Sequence, residues 1–366
     1  MRLTVVIPTC NRGDLLGQTV RKLLHDQTAA AGEYEIVVVD DGSTDDTPRV
    51  MSDLGAPESR VRYVRQENKG PGAARNAGVR EAKGDIILFT GDDCIPDSRL
   101  IEEHLKARER YGDVAVAGHV AWHPDLELTP LMLFLDQGAQ FGFTQIEDPE
   151  NVTFWTFYTA NCSLHRHWVE DVGGFDESFR YAAYEDIEVA YRMSQRGLRI
   201  AYHRPALTYH HHAPTLEGHV TRMRLCGRAA VLVWRKHPEL KEKLGIVDAA
   251  RATTVTGFFE AVTTYGFALG VRDAMKGEEP AADSELRALW QGPELADAGR
   301  AWVREAFGDV NPEKAELIRL QREVHRMREN WKQVEARRLY RASEWLARAG
   351  WRVLRGLGLG RRSDPI

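Results

Sequence analysis

The sequence predicts an α/β protein with a mostly parallel sheet covered by helices on both faces, followed by a mainly α-helical C-terminal extension. In the first hundred residues, apolar runs typical of buried strands alternate with segments whose apolar residues recur at helical spacing. Strands separated by helices pair in parallel and are covered on both faces. Beyond Pro214 the pattern becomes mainly helical.

The predicted elements follow in order. Leu3–Ile7 is the first strand, and the leucines after it recur at helical spacing. The second strand, "YEIVVVDD", leads into a helix that we expect to be capped near Ser43 or Thr44, with the two aspartates of "TDDT" in its first turn. "VRYVRQ" is the third strand, "NKGPGAARNAG" leads into another helix, and Ile86–Thr90 is the fourth strand.

The later part of the chain divides into three predicted regions. Residues 1–235 form the first domain, ending in a mixed pattern with a strand in "DVAVAGHVAW" and a helix from "YEDIEVAYRMSQRG". Residues 236–310 form a helical extension, and 311–366 a long helix with a basic amphipathic tail. In this last region apolar residues alternate at steps of three and four, as in a short heptad seam: Leu317, Leu320, Val324, Met327, Trp331 and Val334.

Composition excludes several classes of protein. The chain has 366 residues, 43% hydrophobic and 28% charged, with a net charge of -5, which argues against nucleic-acid binding. Its four cysteines lie far apart, so neither a zinc site nor a disulfide framework is indicated, and a reducing cytoplasm fits. The N-terminal apolar run is too short for a signal peptide, and the apolar stretch 252–271 contains Glu260, so we expect no membrane span.

Two pairs of acidic residues follow predicted strands. Asp92 and Asp93 follow Ile86–Thr90. They form either a solvated turn or a site for Mg²⁺ or Mn²⁺ that bridges a pyrophosphate. A third alternative is an acid/base pair, for which the geometry is poor because adjacent side chains diverge. In "VVVDDGST", Asp41 either accepts the ring N–H of uracil, thymine or guanine, or belongs to a helix cap. Because ligands of such sheets bind at the carboxyl ends of the strands, we expect both pairs at one site.

The segment "NKGPGAARNAG" offers features of a phosphate site. Its glycines permit close backbone approach, a helix begins there, and Arg75 is a candidate phosphate partner. The alternative is an ordinary Gly/Pro loop. The sequence contains neither a P-loop nor a dinucleotide fingerprint.

Five motifs together resemble those of family-2 glycosyltransferases with the GT-A (Rossmann-like) fold. They are "VVIPTCNR", "VVVDDGSTDDT", "NKGPGAARNAG", "FTGDDCIPD" and "YEDIEVAYR", in the order and spacing of that family over roughly residues 1–235. The resemblance implies a metal-dependent, inverting transferase that uses a nucleotide-diphosphate sugar. It also implies that about 1–95 bind the nucleotide sugar and about 96–235 form the acceptor side.

The resemblance assigns roles at the donor site. It implies that Asp41 contacts the base, and that the acidic strand end holds the ribose and a Mn²⁺ or Mg²⁺ ion. The family's usual D-x-D motif has Gly91 at its first position here, which leaves Asp93 as the expected metal ligand and Asp92 as ribose contact or second ligand. The residues expected around the nucleotide sugar are Pro8, Thr9, Asn11, Arg12, Asp41, Gly70, Arg75 and Asp92.

The resemblance also implies a catalytic base. An inverting transfer needs a group that takes the acceptor's hydroxyl proton. The family's base corresponds to Asp186, with Glu185 beside it; taken alone, "YEDIE" reads as first-turn carboxylates favoured by the helix dipole. His210, 24 residues after Asp186, is the expected metal-binding histidine, ahead of His212, and a surface or core histidine is the alternative.

The acceptor side carries weaker signals. In "FWTFYTANCS", aromatic faces suited to sugar rings accompany Asn161, which can bond hydroxyls, although most of these aromatics suit a core equally well. Trp122 and His212 complete the expected acceptor residues.

The expected partners are a UDP-, dTDP- or GDP-type sugar and a glycan, lipid-linked or cell-surface polysaccharide precursor. Residues 337–362 contain eight arginines interleaved with Leu, Trp and Tyr, which suits contact with the inner face of the cell membrane or packing on the protein. Residues 317–334 suit a homodimer. The alternatives are a sugar-1-phosphate nucleotidyltransferase, whose G-G-x-G-x-R loop is missing from "PTCNRGD", a non-catalytic nucleotide-sugar-binding scaffold, and a retaining transferase.

Overall fold

The computed structural model describes residues 2–55, 60–129, 131–132, 135–136, 140–244, 273–274 and 277. Most of the predicted extension 236–310 lies outside the described residues. So does all of 311–366, with the predicted heptad seam 317–334 and basic tail 337–362.

One eight-stranded sheet organises the described chain. Its strands are β1 (Leu3–Thr9), β2 (Tyr34–Asp41), β3 (Val61–Gln66), β4 (Ile86–Thr90), β5 (Cys94–Pro96), β6 (Ala115–Trp122), β7 (Asn161–His165) and β8 (Ile200–His210). The helices are α1 (Gly13–His25), α2 (Thr47–Gly55), α3 (Pro71–Glu81), α4 (Leu100–Tyr111), α5 (Arg166–Asp171), α6 (Glu185–Gln195) and α7 (Leu216–Lys236). None of the helices within the described ranges is long and apolar enough to cross a membrane.

The sheet has the order β3-β2-β1-β4-β7-β6-β8-β5. Its first four strands are all parallel, as the alternating pattern predicts, and the α/β fold class is confirmed. In the second half β7 runs antiparallel to both β4 and β6, so the whole sheet is mixed. The parallel register brings Thr9 at the end of β1 beside Asp40 in β2, so the carboxyl ends of β1, β2 and β4 share one end of the sheet.

Two apolar layers cover the sheet. One packs α1, α2 and α4 on β1, β2 and β4, and the other contains side chains of β4, β6, β7 and α6. Helix α3 lies so close to the sheet that a Cβ at Gly78 would stand 2.3 Å from Val6 Cγ1. Only a glycine fits this contact.

One local prediction is wrong. Helix α2 begins at Thr47 rather than after a cap at Ser43 or Thr44, so the two aspartates precede the helix. Asp45 instead accepts the backbone N–H of Thr47 at 3.0 Å, and Ser43 Oγ accepts that of Asn11 at 2.8 Å, which ties this loop to the end of β1.

Candidate functional site

A cavity of about 1410 Å³ opens at the carboxyl ends of β1, β2 and β4. The loop before α6 and the first turns of α7 form its other walls. All of the site residues predicted from the sequence line it except Asn11 and Asn161. This is the end of the sheet where ligands of α/β folds bind.

The paired aspartates after β4 surround a single guanidinium. Arg12 Nη1 donates to Asp93 Oδ2 at 2.5 Å and to Asp92 Oδ1 at 3.3 Å. Asp92 Oδ2 also accepts the hydroxyl of Thr9 at 2.8 Å, and both aspartates are buried. The two side chains therefore converge on one cation, which excludes the solvated turn.

Gly91, at the first position of D-x-D, has little room for a side chain in this conformation. A Cβ at Gly91 would lie 2.8 Å from Asp93 Oδ1 and 3.0 Å from Cys94 Sγ. An aspartate at this position would displace the carboxylate of Asp93, so the acidic pair of this chain is Asp92 and Asp93.

The two carboxylates have different proton affinities. Burial and then the neighbouring charge of Asp93 raise the pKa of Asp92 to about 6, against the attraction of Arg12. Burial acts on Asp93 too, but the hydrogen bond and charge of His210, with Arg12, reverse it and hold the pKa of Asp93 well below its usual range. Asp93 is thus the permanently ionised member of the pair.

His210 reaches this acidic pair from β8. Its Nε2 lies 3.4 Å from Asp93 Oδ2, while its Nδ1 is buried without a hydrogen-bond partner. The pairing of Cys94 in β5 with His210 in β8 fixes this approach. The ring of Trp122 lies 5.5 Å from that of His210, and exposed His212 lies 6.1 Å from it on the other side.

The donor atoms fit a divalent cation that a substrate helps to coordinate. Among the described residues no group of three or more His, Cys, Asp or Glu side chains is arranged to hold a metal. Mg²⁺ is usually bound by one or two carboxylates together with waters and substrate phosphates, so Asp92 and Asp93 fit it, with the imidazole of His210 beside Asp93. Arg12 now contacts the same carboxylate oxygens, so an ion can bind there only if Arg12 moves.

Asp41 lies at the end of β2 and fixes the loop that begins α3. Its Oδ1 accepts the N–H of Lys69 and its Oδ2 that of Gly70, both at 2.8 Å, and Gln66 donates to Oδ1 as well. Gly70 has φ +91°, a conformation that glycine adopts without strain. Asp41 lines the cavity, and each carboxylate oxygen can accept more than one hydrogen bond.

Arg75 is paired with a carboxylate, which differs from its predicted role as a phosphate partner. Its Nη1 donates to Glu185 Oε1 at 2.8 Å, and both side chains are buried. Arg75 Nε and Glu185 Oε2 are left without hydrogen-bond partners. Because a buried guanidinium needs a counter-charge, Arg75 pairs with Glu185 in this structure.

Asp186 stands at the first turn of α6, facing the cavity. Its Oδ1 accepts the N–H of Ile187 at 2.8 Å. Burial raises the pKa of Asp186 above its usual value, against the opposing charge of Arg75. Burial and then the charge of Asp186 raise the pKa of Glu185 to about 7. Tyr184 before them has φ +63°, strained backbone that is concentrated at functional sites.

Asn11 lies outside the cavity wall. Its side-chain oxygen accepts the N–H groups of Thr44 at 2.7 Å and Asp45 at 3.3 Å, and its backbone has φ +56°. The residue holds the loop before α2 against the end of β1. A direct contact between Asn11 and a nucleotide sugar is not supported by this placement.

Asn161 is buried away from the cavity, so the prediction that it bonds acceptor hydroxyls is wrong for this conformation. Its amide nitrogen donates to the carbonyl oxygens of His119 and Ala206, and its oxygen meets His104 Nε2 at 2.8 Å. All its polar atoms are engaged inside the protein. These partners come from β6, β8 and α4, so no local pattern in the sequence indicates them.

Two arginines on the cavity wall were missed in the sequence. Arg180 and Arg222 both line the cavity. Arg180 donates to the backbone carbonyl of Lys69 at 3.4 Å, and Arg222 to that of Ala182 at 3.1 Å. Neither belongs to a motif. Arg224, two residues from Arg222, is buried against Asp273 instead, so helical position alone decides which of them faces the cavity.

Comparison with known proteins gives one family. Residues 4–173 match the family described as Glycosyl transferase family 2. Validoxylamine A glucosyltransferase of Streptomyces hygroscopicus subsp. jinggangensis (strain 5008) is 31% identical over 289 residues, which cover 72% of this chain and 66% of that protein. Chondroitin synthase of Pasteurella multocida (strain Pm70) is 25% identical over 272 residues, 66% of this chain and 28% of that protein. The chain thus spans just under two thirds, or less, of these relatives.

A solved structure shows the same fold. The mannosyltransferase PcManGT from Pyrobaculum calidifontis, in complex with GDP-Man and Mn²⁺, matches with a TM-score of 0.54 at 17% sequence identity. The match covers 76% of this chain and 88% of the mannosyltransferase.

Proposed function

Because the chain belongs to glycosyl transferase family 2, we propose that it moves a sugar from a nucleotide-diphosphate sugar to an acceptor hydroxyl, with a divalent metal and with inversion at the anomeric carbon. One observation carries the proposal. A single cavity holds a carboxylate kept ionised, Asp93, and a carboxylate whose pKa is raised, Asp186. Such divergent environments separate a cation-binding group from a proton-accepting one.

The donor would bind along the ends of β1, β2 and β4. Pro8, Thr9 and Asp41 line the part of the cavity proposed for the base, and Asp41 can accept a ring N–H from uracil, thymine or guanine. The similarity in fold to a mannosyltransferase that binds GDP-Man supports a nucleotide sugar as donor.

Asp93 and His210, with Asp92 beside them, would hold Mn²⁺ or Mg²⁺ together with the donor's diphosphate. When bound, the metal supplies positive charge to the diphosphate as it departs. Arg12 would move away from the carboxylates as the ion enters. Until then its guanidinium neutralises a buried acidic pair that would otherwise be costly.

Asp186 would act as the general base. As the acceptor oxygen attacks the anomeric carbon, its proton passes to the Asp186 carboxylate, and the bond to the diphosphate breaks on the opposite face of the sugar. The backbone N–H groups of Ile187 and Thr159 hold the carboxylate in place. The Arg75–Glu185 pair would position the start of α6 and act through Asp186 rather than on the sugar.

Arg180 and Arg222 would stabilise the leaving nucleoside diphosphate. Arg12 and Arg75 already face carboxylates, whereas Arg180 and Arg222 donate to backbone carbonyls. Cations aimed at developing negative charge act on the transition state.

The test is thermal stabilisation by UDP, dTDP and GDP, each with and without Mn²⁺. At one hundred times the dissociation constant, about 2.7 kcal/mol of stabilisation is expected. One nucleotide should stabilise the wild type with Mn²⁺, and Asp93→Ala should remove the metal dependence. Asp171→Ala, an exposed control outside the cavity wall, should behave as wild type.

The products decide between the alternatives. A glycosyltransferase releases the nucleoside diphosphate, a sugar-1-phosphate nucleotidyltransferase forms or consumes pyrophosphate, and a scaffold releases neither. Absence of any nucleotide-dependent shift would remove the basis of the proposal. Contact of 337–362 with the inner membrane face and dimerisation through 317–334 stay predictions from the sequence.

A further inference from the structure

A second cavity of about 450 Å³ adjoins the first. The two share wall residues, among them Trp122, Phe141, Gln140 and His210. The second cavity therefore adjoins the part of the first cavity that His210 lines, and residues of β6 and β8 form part of its wall. Its volume is within the range of about 300–1,000 Å³ that small-ligand sites occupy.

Aromatic rings form one wall of this second cavity. Phe141 stacks on Phe143 at 5.5 Å, and Phe143 stacks on Tyr202 at 5.2 Å, with interplanar angles of 19° and 22°. The hydroxyl of Tyr202 meets His119 Nδ1 at 2.8 Å, which fixes its ring. All three rings are partly exposed, so they present ordered aromatic surface rather than core.

The polar groups of the second cavity balance in charge. Asp136 and Arg204 line it, one of each sign, and both are exposed. His119 is neutral near pH 7, because burial and then the charge of Arg204 lower its pKa to about 4. The cavity thus offers aromatic faces together with hydrogen-bonding groups, but no excess of charge that would select a polyanion.

We propose that this second cavity binds an uncharged sugar ring of the acceptor, adjacent to the ring that reacts, so that the acceptor is an oligosaccharide of at least two residues. A sugar ring has an apolar face that packs on aromatic rings and a rim of hydroxyls that can meet Asp136 and Arg204. A lipid chain would leave those two side chains unused. The inference rests on the proposed function, because it assumes that the reacting hydroxyl lies near Asp186 in the first cavity.

The wall residues that the two cavities share indicate how the acceptor chain would run from one cavity into the other. An acceptor whose terminal ring lies in the first cavity can continue past Trp122 and Phe141 into the second without leaving the protein. The nucleotide is expected at the other end of the first cavity, by Asp41. Chain length beyond the reacting ring should therefore affect acceptor binding and leave nucleotide binding unchanged.

The experiment uses the full chain on an array of uncharged oligosaccharides of one to four residues, with the nucleotide and Mn²⁺ present. We expect disaccharides or longer chains to bind at least about tenfold more tightly than the corresponding methyl monosaccharides. Phe143→Ala should lower disaccharide binding about tenfold and leave monosaccharide binding and the nucleotide-induced melting shift unchanged. Tyr111→Ala, an aromatic control outside both cavities, should match the wild type.

Three outcomes would overturn the inference. They are equal binding of mono- and disaccharides, wild-type disaccharide binding by a folded Phe143→Ala variant, and no retention of any saccharide. Tyr202→Phe, which keeps the ring but removes the hydroxyl, should retain most of the preference if the stacked surface is the cause. Nucleotide binding distinguishes a failure of this inference from a failure of the proposed function. If nucleotide shifts the melt and saccharides fail, only this inference is lost; if nucleotide fails too, so is the proposed function.

Discussion

Asp186 and Asp93 are the same side chain in two environments. Arg12 and the hydrogen bond with His210 stabilise the ionised form of Asp93, whereas Asp186 is half-buried at a helix start and next to Glu185. The first environment favours the charged carboxylate and the second favours the protonated one. These opposite shifts are the chemical basis on which we separate a metal-binding role from a base.

The raised pKa of Asp186 leads to a prediction about pH. A general base works only when ionised, so kcat/KM should rise with pH through the pKa of Asp186 and level off above it. Since burial raises that pKa, the acid limb should lie at higher pH than an exposed aspartate would give. A pH profile of kcat/KM checks this, with nucleotide affinity measured over the same range as control.

The matching variant is Asp186→Asn, which should lower turnover by about 10²–10⁴-fold while nucleotide still binds. Wild-type activity in this variant, or a profile that is flat down to the pKa of an exposed aspartate, would rule out Asp186 as the base.

The Arg75–Glu185 pair predicts a pH-dependent loss of stability. Arg75→Met leaves the buried Glu185 without its partner, which should cost about 3–5 kcal/mol where Glu185 is charged. The pKa of Glu185 is raised to about 7, above its unfolded value, so its contribution to stability is full below the unfolded pKa and is lost as pH rises through 7. The loss in Arg75→Met should therefore be larger at pH 8 than at pH 6.

Urea unfolding at the two pH values measures this difference. Adding Glu185→Gln to Arg75→Met should recover part of the loss at pH 8. Arg49→Met, which breaks an exposed pair with Asp46, should cost less than about 1 kcal/mol at either pH. Equal losses for Arg75→Met and Arg49→Met would contradict the prediction.

At the scale of elements, short strands and helix starts place the side chains of the site. The three-residue strand β5 pairs with the end of β8, and this register sets Cys94 opposite His210 and brings His210 to Asp93. At α6, Glu188 accepts Arg192 and His237, which ties the helix that bears Asp186 to the chain after α7. Geometry at the site therefore depends on pairings outside the cavity.

The close packing of α3 on the sheet predicts that a methyl group added at Gly78 destabilises the protein. Gly78→Ala would place a Cβ 2.3 Å from Val6 Cγ1, so α3 must shift, at a cost of about 1–3 kcal/mol. Since Gly70 and Arg75 belong to the same segment, nucleotide affinity should fall as well. Urea unfolding and nucleotide-induced melting shifts measure both effects.

Two variants complete this test. Val6→Ala in the Gly78→Ala background should return part of the lost stability, because it removes the clashing methyl groups. Gly32→Ala meets no atom within 4 Å and should change stability little. A Gly78→Ala protein as stable as Gly32→Ala would show that the contact is not tight.

For the whole molecule, the proposed donor and acceptor sites lie in adjoining cavities on one eight-stranded sheet. The parallel half of the sheet supplies the acidic strand ends. In the aromatic wall, β8 supplies Tyr202, and the segment between β6 and β7 supplies Phe141 and Phe143.

The basic tail gives a prediction at this scale. Replacing the eight arginines of 337–362 with glutamine should abolish binding to vesicles that contain anionic lipid, since each arginine near such a surface adds about 1 kcal/mol. Vesicle co-sedimentation at low and high salt measures this, with uncharged vesicles as control. Unchanged binding would favour a tail that packs on protein.

Much of this architecture follows from local sequence patterns. Apolar runs separated by helical periodicity predicted β1, β2 and β4, because strands that are buried on both faces are rich in apolar residues. The strand-end rule then brought Asp41, Asp92 and Asp93 to one cavity before any contact was known. The start of α2 differs from the prediction because Asp45 accepts the backbone N–H groups of Thr47 and Gly13 instead of lying in the first turn of the helix.

The sequence by itself determined the fold class, the family and most residues of the cavity wall, since these depend on periodicity and on motifs that are local in the chain. Only the tertiary structure decided the partners: Arg75 with Glu185, Arg12 with the acidic pair, Asn161 with its buried carbonyls, and the aromatic wall of the second cavity. Arg75 and Glu185 are 110 residues apart. Partners so distant in the chain are chosen by how elements pack and by the need to neutralise buried charge, neither of which leaves a local pattern in the sequence.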